Sequence, residues 1–258
     1  MSEQQFPPAP LTLEGSAVLH QMLRVDWGVP ISPDAIDLLA AMRPHTGVFS
    51  MVGHKGDIML IHFRESLEAL NQVEHALGRA GLYSSFEVVD SYVSVVELGL
   101  YESTSKFYAE MSEKGIAPHS PEWDAAANET LDRQRKAMAV RLYPEIPDTK
   151  YSCFYPMDRK RGEQDNWYTV PMDTRARLMH EHGMNGRRYA GKVKQVISGS
   201  IGWDDWEWGV DLFANDPLDF KRLIYEMRFD EVSAVYAEFG NFYVGVQQKA
   251  EDLPSLFA

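Results

Sequence analysis

The chain reads as an α+β protein built from two ferredoxin-like β-α-β-β-α-β halves, whose sheets combine into a dimeric α+β barrel within one chain. Three observations predict this. Strand and helix signals run in the order β-α-β-β-α-β and then, past a long helical connection, in that order again. The strand segments are rich in β-branched and aromatic residues and bounded by turn residues, whereas the helical segments carry caps and a 3.6-residue apolar period. The chain has 258 residues, 45% of them apolar and 12% aromatic, enough for one large core. Identity between the halves is not evident, so the repeat is one of element order.

Residues 1–12, with Pro7, Pro8 and Pro10, are expected to form an extended arm. The N-terminal half, 13–120, begins with the strand "SAVLHQMLRVDW" and the helix "SPDAIDLLAAM", with Ser32 as its cap and Pro33 at its first position. "GVFSMVGHKGDIMLIHF" gives two strands around a His-Lys-Gly-Asp turn. "SLEALNQVEHALGRAGL" is a helix closed by Gly81, and "SFEVVDSYVSVVELGLY" is the fourth strand. A connecting helix and loop, 121–148, contain "PEWDAAANETLDRQRKAMAVRL". The C-terminal half, 149–250, then gives the strand "YSCFYPM" and the helix "DTRARLMHEHG". It continues with the strand pair "VKQVISGSIG" and "WEWGVDLF", one long helix "PLDFKRLIYEMRFDEVSAVYA", and a final strand "NFYVGV".

A net charge of −13 argues against nucleic acid or an anionic membrane as the main partner, because either requires clustered Lys and Arg. The single cysteine, Cys153, excludes an intramolecular disulfide framework and suits a reducing compartment. The N-terminus lacks the order of a secretory signal, and no apolar run has the length of a membrane span, so a cytoplasmic protein is expected.

Two histidines in "RLMHEHGMNGRRYAGK" lie two residues apart, so on a helix they point about 200° away from each other and cannot share an ion. His182 aligns with Met179 and Leu178 on the apolar face, whereas His180 aligns with Ala176 and Arg177. A lone histidine on such a face is either a hydrogen-bonded core residue or a single axial ligand to haem iron. "GRRYAGKV" nearly fits a phosphate loop. It is rejected because Val193 lacks a hydroxyl and the segment joins helix to strand. In "CFYPMDRKR", strand alternation places Cys153, Tyr155, Met157 and Arg159 on one face. A neutral phenol there is either an ordinary core residue or a group able to bind a carboxylate or be oxidised. In "GWDDWEWG", Asp204 and Asp205 are assigned to a hairpin turn and the tryptophans to packing, without a metal. The remaining histidines show no metal-ligand spacing.

These segments resemble the chlorite-dismutase-like haem proteins, in particular the coproheme decarboxylase branch that uses a catalytic tyrosine. The resemblance covers most of the chain. It is strongest from "RLYPEIP" through "CFYPMDRKRGEQDNWYTVPM", "LMHEHGMNGRRYAGKVKQVISGSIGWDDWEWGVDLF" and "EMRFDEVSAVYAEFG". It implies a homopentamer that binds iron coproporphyrin III (coproheme) in the C-terminal half, as both substrate and redox cofactor. His182 is then the iron ligand, Gln195 lies on the distal side, and Tyr155 is the redox-active catalytic residue. Arg141, the segment Tyr155, Pro156, Met157, Asp158 and Arg159, and Ser233 contact the propionates. Where this branch commonly has Tyr-Pro-Met-Ser-Lys, the chain has Tyr-Pro-Met-Asp-Arg. Arg159 keeps the charge and adds a planar fork, and Asp158 is expected to face solvent or pair with Lys160 or Arg161.

The activity implied is the hydrogen-peroxide-dependent oxidative decarboxylation of two propionates to vinyls. It gives haem b through a three-propionate intermediate, in haem biosynthesis, with a transient contact to coproporphyrin ferrochelatase. Chlorite dismutation, a rival within the family, requires a distal cation, and Gln195 is neutral. Other readings are a peroxidase-like haem enzyme and a non-enzymatic haem carrier, the latter needing His182 and the anchors but not Tyr155.

Overall fold

The computed structural model describes residues 8–257. Most of the expected N-terminal arm, residues 1–7, thus lies outside the described residues. The first half comprises β1 (Thr12–Val25), α1 (Pro33–Ala41), β2 (Thr46–Val52), β3 (Ile58–Arg64), α2 (Leu67–Arg79), a single turn α3 (Leu82–Ser85) and β4 (Phe86–Gly99). Two helices follow, α4 (Tyr101–Glu113) and α5 (Pro121–Leu142). The second half comprises β5 (Tyr151–Arg159), α6 (Met172–Arg187), β6 (Val193–Gly199), β7 (Trp208–Ala214), α7 (Pro217–Met227), α8 (Glu231–Tyr236), β8 (Ala237–Phe239) and β9 (Tyr243–Gln248). A last turn, α9, spans Leu253–Leu256.

All strand pairings are antiparallel and run β7-β6-β4-β1-β3-β2-β9-β5, with β5 pairing back onto β7 and β8 added to β5. The sheet is therefore closed. Each half contributes the ferredoxin-like order, β4-β1-β3-β2 and β9-β5-β7-β6. The seams are Val95↔Gly199 between β4 and β6 and Val48↔Gln248 between β2 and β9. Closure leaves two kinds of core. Inside the barrel, Val18, Met22, Phe49 and Tyr92 pack with Phe154, Val196, Phe213 and Tyr243 from the other half. Outside it, α1 and α2 cover one sheet face, and α7 with Tyr189 just after α6 covers a second face around Cys153, Tyr155, Val210 and Leu212.

The interior also holds a hydrogen-bonded polar pair. His20 Nε2 lies 2.9 Å from Asp211 Oδ1 with both side chains fully buried, and the His20 ring stacks on Phe154 at 3.8 Å. The pair ties β1 to β7, one strand from each half.

Three sequence expectations need correction, and one further helix was not anticipated. The segment 101–113 forms α4, which no cap announced: Leu100 supplies no side-chain cap, and only Thr104, Phe107 and Met111 of the helix are buried. Ser32 occupies the N-cap of α1 without a side-chain hydrogen bond, so Pro33 and the acidic Asp34 set that start instead. Gly183 does not end α6, which continues to Arg187; the left-handed residue is Gly191, at φ +81°. The long helix expected from Pro217 is two. Asp230 takes an extended conformation (φ −82°, ψ 150°), and its carboxylate accepts from the Ser233 N–H at 2.8 Å, capping α8 afresh.

Among the described residues no helix is long and apolar enough to cross a membrane.

Candidate functional site

The break between α7 and α8 sets Asp230 against α6. His182 Nδ1 lies 2.8 Å from Asp230 Oδ2, with side chains 25% and 7% exposed, so the histidine is held at the edge of the core and not sealed within it. Burial opposes ionisation of Asp230, but the hydrogen bonds from His182 and Ser233 outweigh it and hold the carboxyl below its ordinary value. A carboxylate on Nδ1 fixes the tautomer and turns the basic Nε2 outward, the arrangement that orients a metal-binding imidazole. His180 instead is 56% exposed, 3.8 Å from Glu102.

The sheet face opposite α6 carries the second group. Register aligns Tyr155 with Val210 and Ile197 across β5, β7 and β6, and Cys153 with Leu212 and Gln195 in the next row. Tyr155 and Gln195 thus share one face, two strands and one row apart, roughly 12 Å at the usual strand spacings. Tyr155 is 6% exposed and stacks on Phe242 at 4.5 Å, with Phe239 at 5.9 Å. Burial raises its pKa and the neighbouring Cys153 adds to this, while Arg228 and Arg159 pull the other way. The phenol is neutral at physiological pH. Burial likewise pushes the Cys153 thiol up to about 12, which removes it as a nucleophile.

Arg159 reaches from the end of β5 towards α6 and α8. Its guanidinium lies 5.0 Å from the Trp167 ring centre, 3.7 Å from Met179 Sδ and 3.4 Å from the Val232 carbonyl, with no carboxylate partner among the described residues. Arg228, at the end of α7, stacks its guanidinium 3.4 Å from the centre of the Phe239 ring. Arg228 and Arg159 are thus the cationic neighbours of the Tyr155 phenol, Arg228 by way of the Phe239 ring that Tyr155 also packs against. Ser233, 8% exposed, joins the group through Asp230.

Other expected residues fall elsewhere. Pro156 and Asp158 alternate onto the far side of β5. An added Cβ on Gly240 would stand 2.8 Å from the Pro156 ring, and Asp158 accepts the Glu207 N–H at 2.7 Å. The expectation that Asp158 faces solvent or pairs with Lys160 or Arg161 is thus corrected; Arg161 pairs with Glu207 at 3.5 Å instead. Met157 stays on the Tyr155 face. Gln195 faces α6, its Nε2 3.5 Å from where a Cβ on Gly186 would be. Arg141 is exposed at the end of α5, against Met138, and touches none of the other site residues. The chain just beyond it does run beside β6, where the Glu145 carbonyl accepts from Lys194 at 3.1 Å.

Sequence reasoning missed Asp230 and Arg228. Asp230 had a usable signal: D-x-x-S before an apolar run is a helix start, which would have split the long helix. Arg228 had none, because its role depends on Phe239 arriving from a different element.

The residues on this face fit an iron porphyrin. An oriented imidazole with a free Nε2, an apolar sheet surface and two cations without carboxylates suit an apolar ring with a metal centre and anionic arms.

Comparison with known proteins agrees with this chemistry. The family model described as chlorite dismutase matches residues 32–248. A solved heme-binding protein from Thermus thermophilus is 39% identical, with a TM-score of 0.80 over 97% of this chain and 98% of that one. A curated protein of Natronomonas pharaonis, provisionally named heme-binding, is 39% identical over 99% of this chain; the chain spans 42% of that relative's length. A mutant chlorite dismutase from Candidatus Nitrospira defluvii, 17% identical, shares the fold, with a TM-score of 0.68 over 96% of this chain and 98% of its own.

Proposed function

Because the chain belongs to the chlorite dismutase family, we propose that it is a coproheme decarboxylase, converting two propionates of iron coproporphyrin III to vinyls at the expense of hydrogen peroxide. One observation carries the reading: Tyr155 is buried and neutral, has Arg228 and Arg159 as its cationic neighbours, and packs on the same Phe239 ring that Arg228 stacks against. A tyrosine in a heme carrier has no need of such flanking charge.

In this reading His182 would hold the iron, oriented by Asp230 on its Nδ1. Arg159, Arg228 and Ser233 would take the carboxylate arms, with Arg141 and Gln195 as further contacts of the porphyrin. The iron, when bound, supplies the oxidising equivalent drawn from peroxide. Tyr155 gives up its hydroxyl hydrogen, and the resulting tyrosyl oxygen abstracts a hydrogen atom from the β-carbon of the propionate beside it. Loss of a second electron and of CO₂ leaves the vinyl. Each propionate yields CO₂, one proton and two electrons, and each peroxide takes two electrons and two protons to become two waters. Two rounds give haem b.

The test is to load the protein with iron coproporphyrin III, titrate hydrogen peroxide and follow products by chromatography with mass detection. Two successive losses, each of one CO₂ and two hydrogens, are expected. Tight binding with bleaching and no vinyl product would overturn the reading in favour of a carrier or of other haem chemistry.

A further inference from the structure

Arg175 is a buried cation that the proposed reaction leaves unused. It opens a stripe on α6: Arg175, Met179 and His182 recur at i, i+4 and i+7, so they stack on one helix face. Arg175 is 3% exposed. Among the described residues its guanidinium pairs with no carboxylate; Nη2 donates to the Pro8 carbonyl at 2.5 Å, and the buried Nε has no partner. A desolvated guanidinium with one neutral acceptor is far from satisfied, since five N–H groups are available.

The carbonyl belongs to the segment leading into β1. Three residues on, the Leu11 N–H donates to Thr104 Oγ1 at 2.8 Å, and the Leu11 carbonyl accepts from the Leu100 N–H at 2.8 Å. Residues 8–11 therefore lie across the first turn of α4 and against α6. Tyr101, in that same turn of α4, is the electrostatic neighbour of both Arg175 and Arg159. Arg159 in turn touches Met179, the middle residue of the stripe. Arg175 thus lies one turn beyond the point where Arg159 meets α6, about 10 Å from His182 along the helix axis, a span comparable to the reach of a porphyrin from its centre to a carboxyethyl arm.

We propose that Arg175 is a carboxylate-binding subsite for one arm of the bound tetracarboxylate, and that filling it loosens the segment 8–11 from α6. The coupling is geometric. A carboxylate gripped in the usual two-point fashion by Nε and Nη2 takes the edge of the guanidinium that now holds Pro8. The inference rests on the coproheme reading, and its test separates the two.

The purified full chain and its Arg175→Gln and Arg175→Lys variants are titrated with iron coproporphyrin III, which has four carboxylates, and with haem b, which has two. Hydrogen exchange at the Leu11 amide is followed with and without each ligand. Arg175→Gln is expected to weaken coproheme binding by about tenfold or more, the value of a charge-assisted hydrogen-bond pair, with a smaller loss for haem b and partial recovery in Arg175→Lys. In the unaltered protein, coproheme should speed exchange at Leu11. Coproheme affinity unchanged in a folded Arg175→Gln variant sinks the subsite while leaving the coproheme reading intact. If that variant does not fold, the unaltered protein decides: Leu11 exchange that is unchanged or slower on coproheme binding overturns the proposal. Failure of the unaltered protein to bind coproheme removes the parent reading and this one with it.

Discussion

His182 and Asp230 form the pair on which the site turns, and their chemistry can be tested separately from the fold. His182→Ala should abolish the five-coordinate spectrum of added coproheme, whereas His180→Ala, at an exposed position beside Glu102, should leave it unchanged. Asp230→Asn keeps the shape and removes the charge, and should weaken ligation roughly 10- to 100-fold as read by porphyrin titration. The pH dependence has a defined sign. The folded-state pKa of Asp230 lies below its ordinary 3.8, so its contribution is fully present above that value and is lost as pH falls through the lowered one. In acid titrations below about pH 4, the unaltered protein should lose stability faster than Asp230→Asn. For Tyr155, substitution by Phe should leave coproheme affinity nearly unchanged and bring vinyl production to background; normal turnover by that variant would exclude the radical role.

At the scale of elements, the decisive feature is the interruption between α7 and α8. A continuous helix from Pro217 to Tyr236 would carry Asp230 round on the helical path instead of holding it extended at a cap, where it meets His182. Asp230→Ala removes both the cap and the histidine's partner. It should cost about 1 kcal/mol of stability, seen as an earlier urea midpoint, in addition to the spectral change that Asp230→Asn shows alone. Strand alternation on β5 makes a similar division. It sends Tyr155, Met157 and Arg159 to the α6 side and Pro156 and Asp158 to the other, so of a five-residue motif only alternate side chains face the proposed substrate. That alternation was legible in the sequence. The departure of Asp158 to the Glu207 amide was not, because its partner comes from the β6–β7 connection.

On the scale of the whole molecule, the barrel is one body because strands of the two halves pair at both seams and share an interior. The buried His20 and Asp211 pair joins the halves across that interior. Removing one partner, as in His20→Ala, should cost about 1 to 3 kcal/mol in chemical unfolding, because it leaves the buried Asp211 carboxyl without its hydrogen-bond partner. Replacing both with apolar residues of similar size should cost far less. The same two halves leave one outer face for α6 and α7, and that face carries every group to which the proposed chemistry is assigned except Arg141.

The β-α-β-β-α-β order of strands and main helices in each half, the facing of His182 against His180 and the shared face of Cys153, Tyr155 and Met157 were determined by the sequence itself. Each follows from a local period, 3.6 residues in a helix or two in a strand. Tertiary structure alone decided that Asp230 backs His182, that Arg228 reaches Tyr155 by way of Phe239, and that Arg175 is buried against Pro8. Those partners lie far apart along the chain or on separate elements, and no local period encodes them. They exist because barrel closure brings α6, α8 and the segment before β1 to one end of the same face.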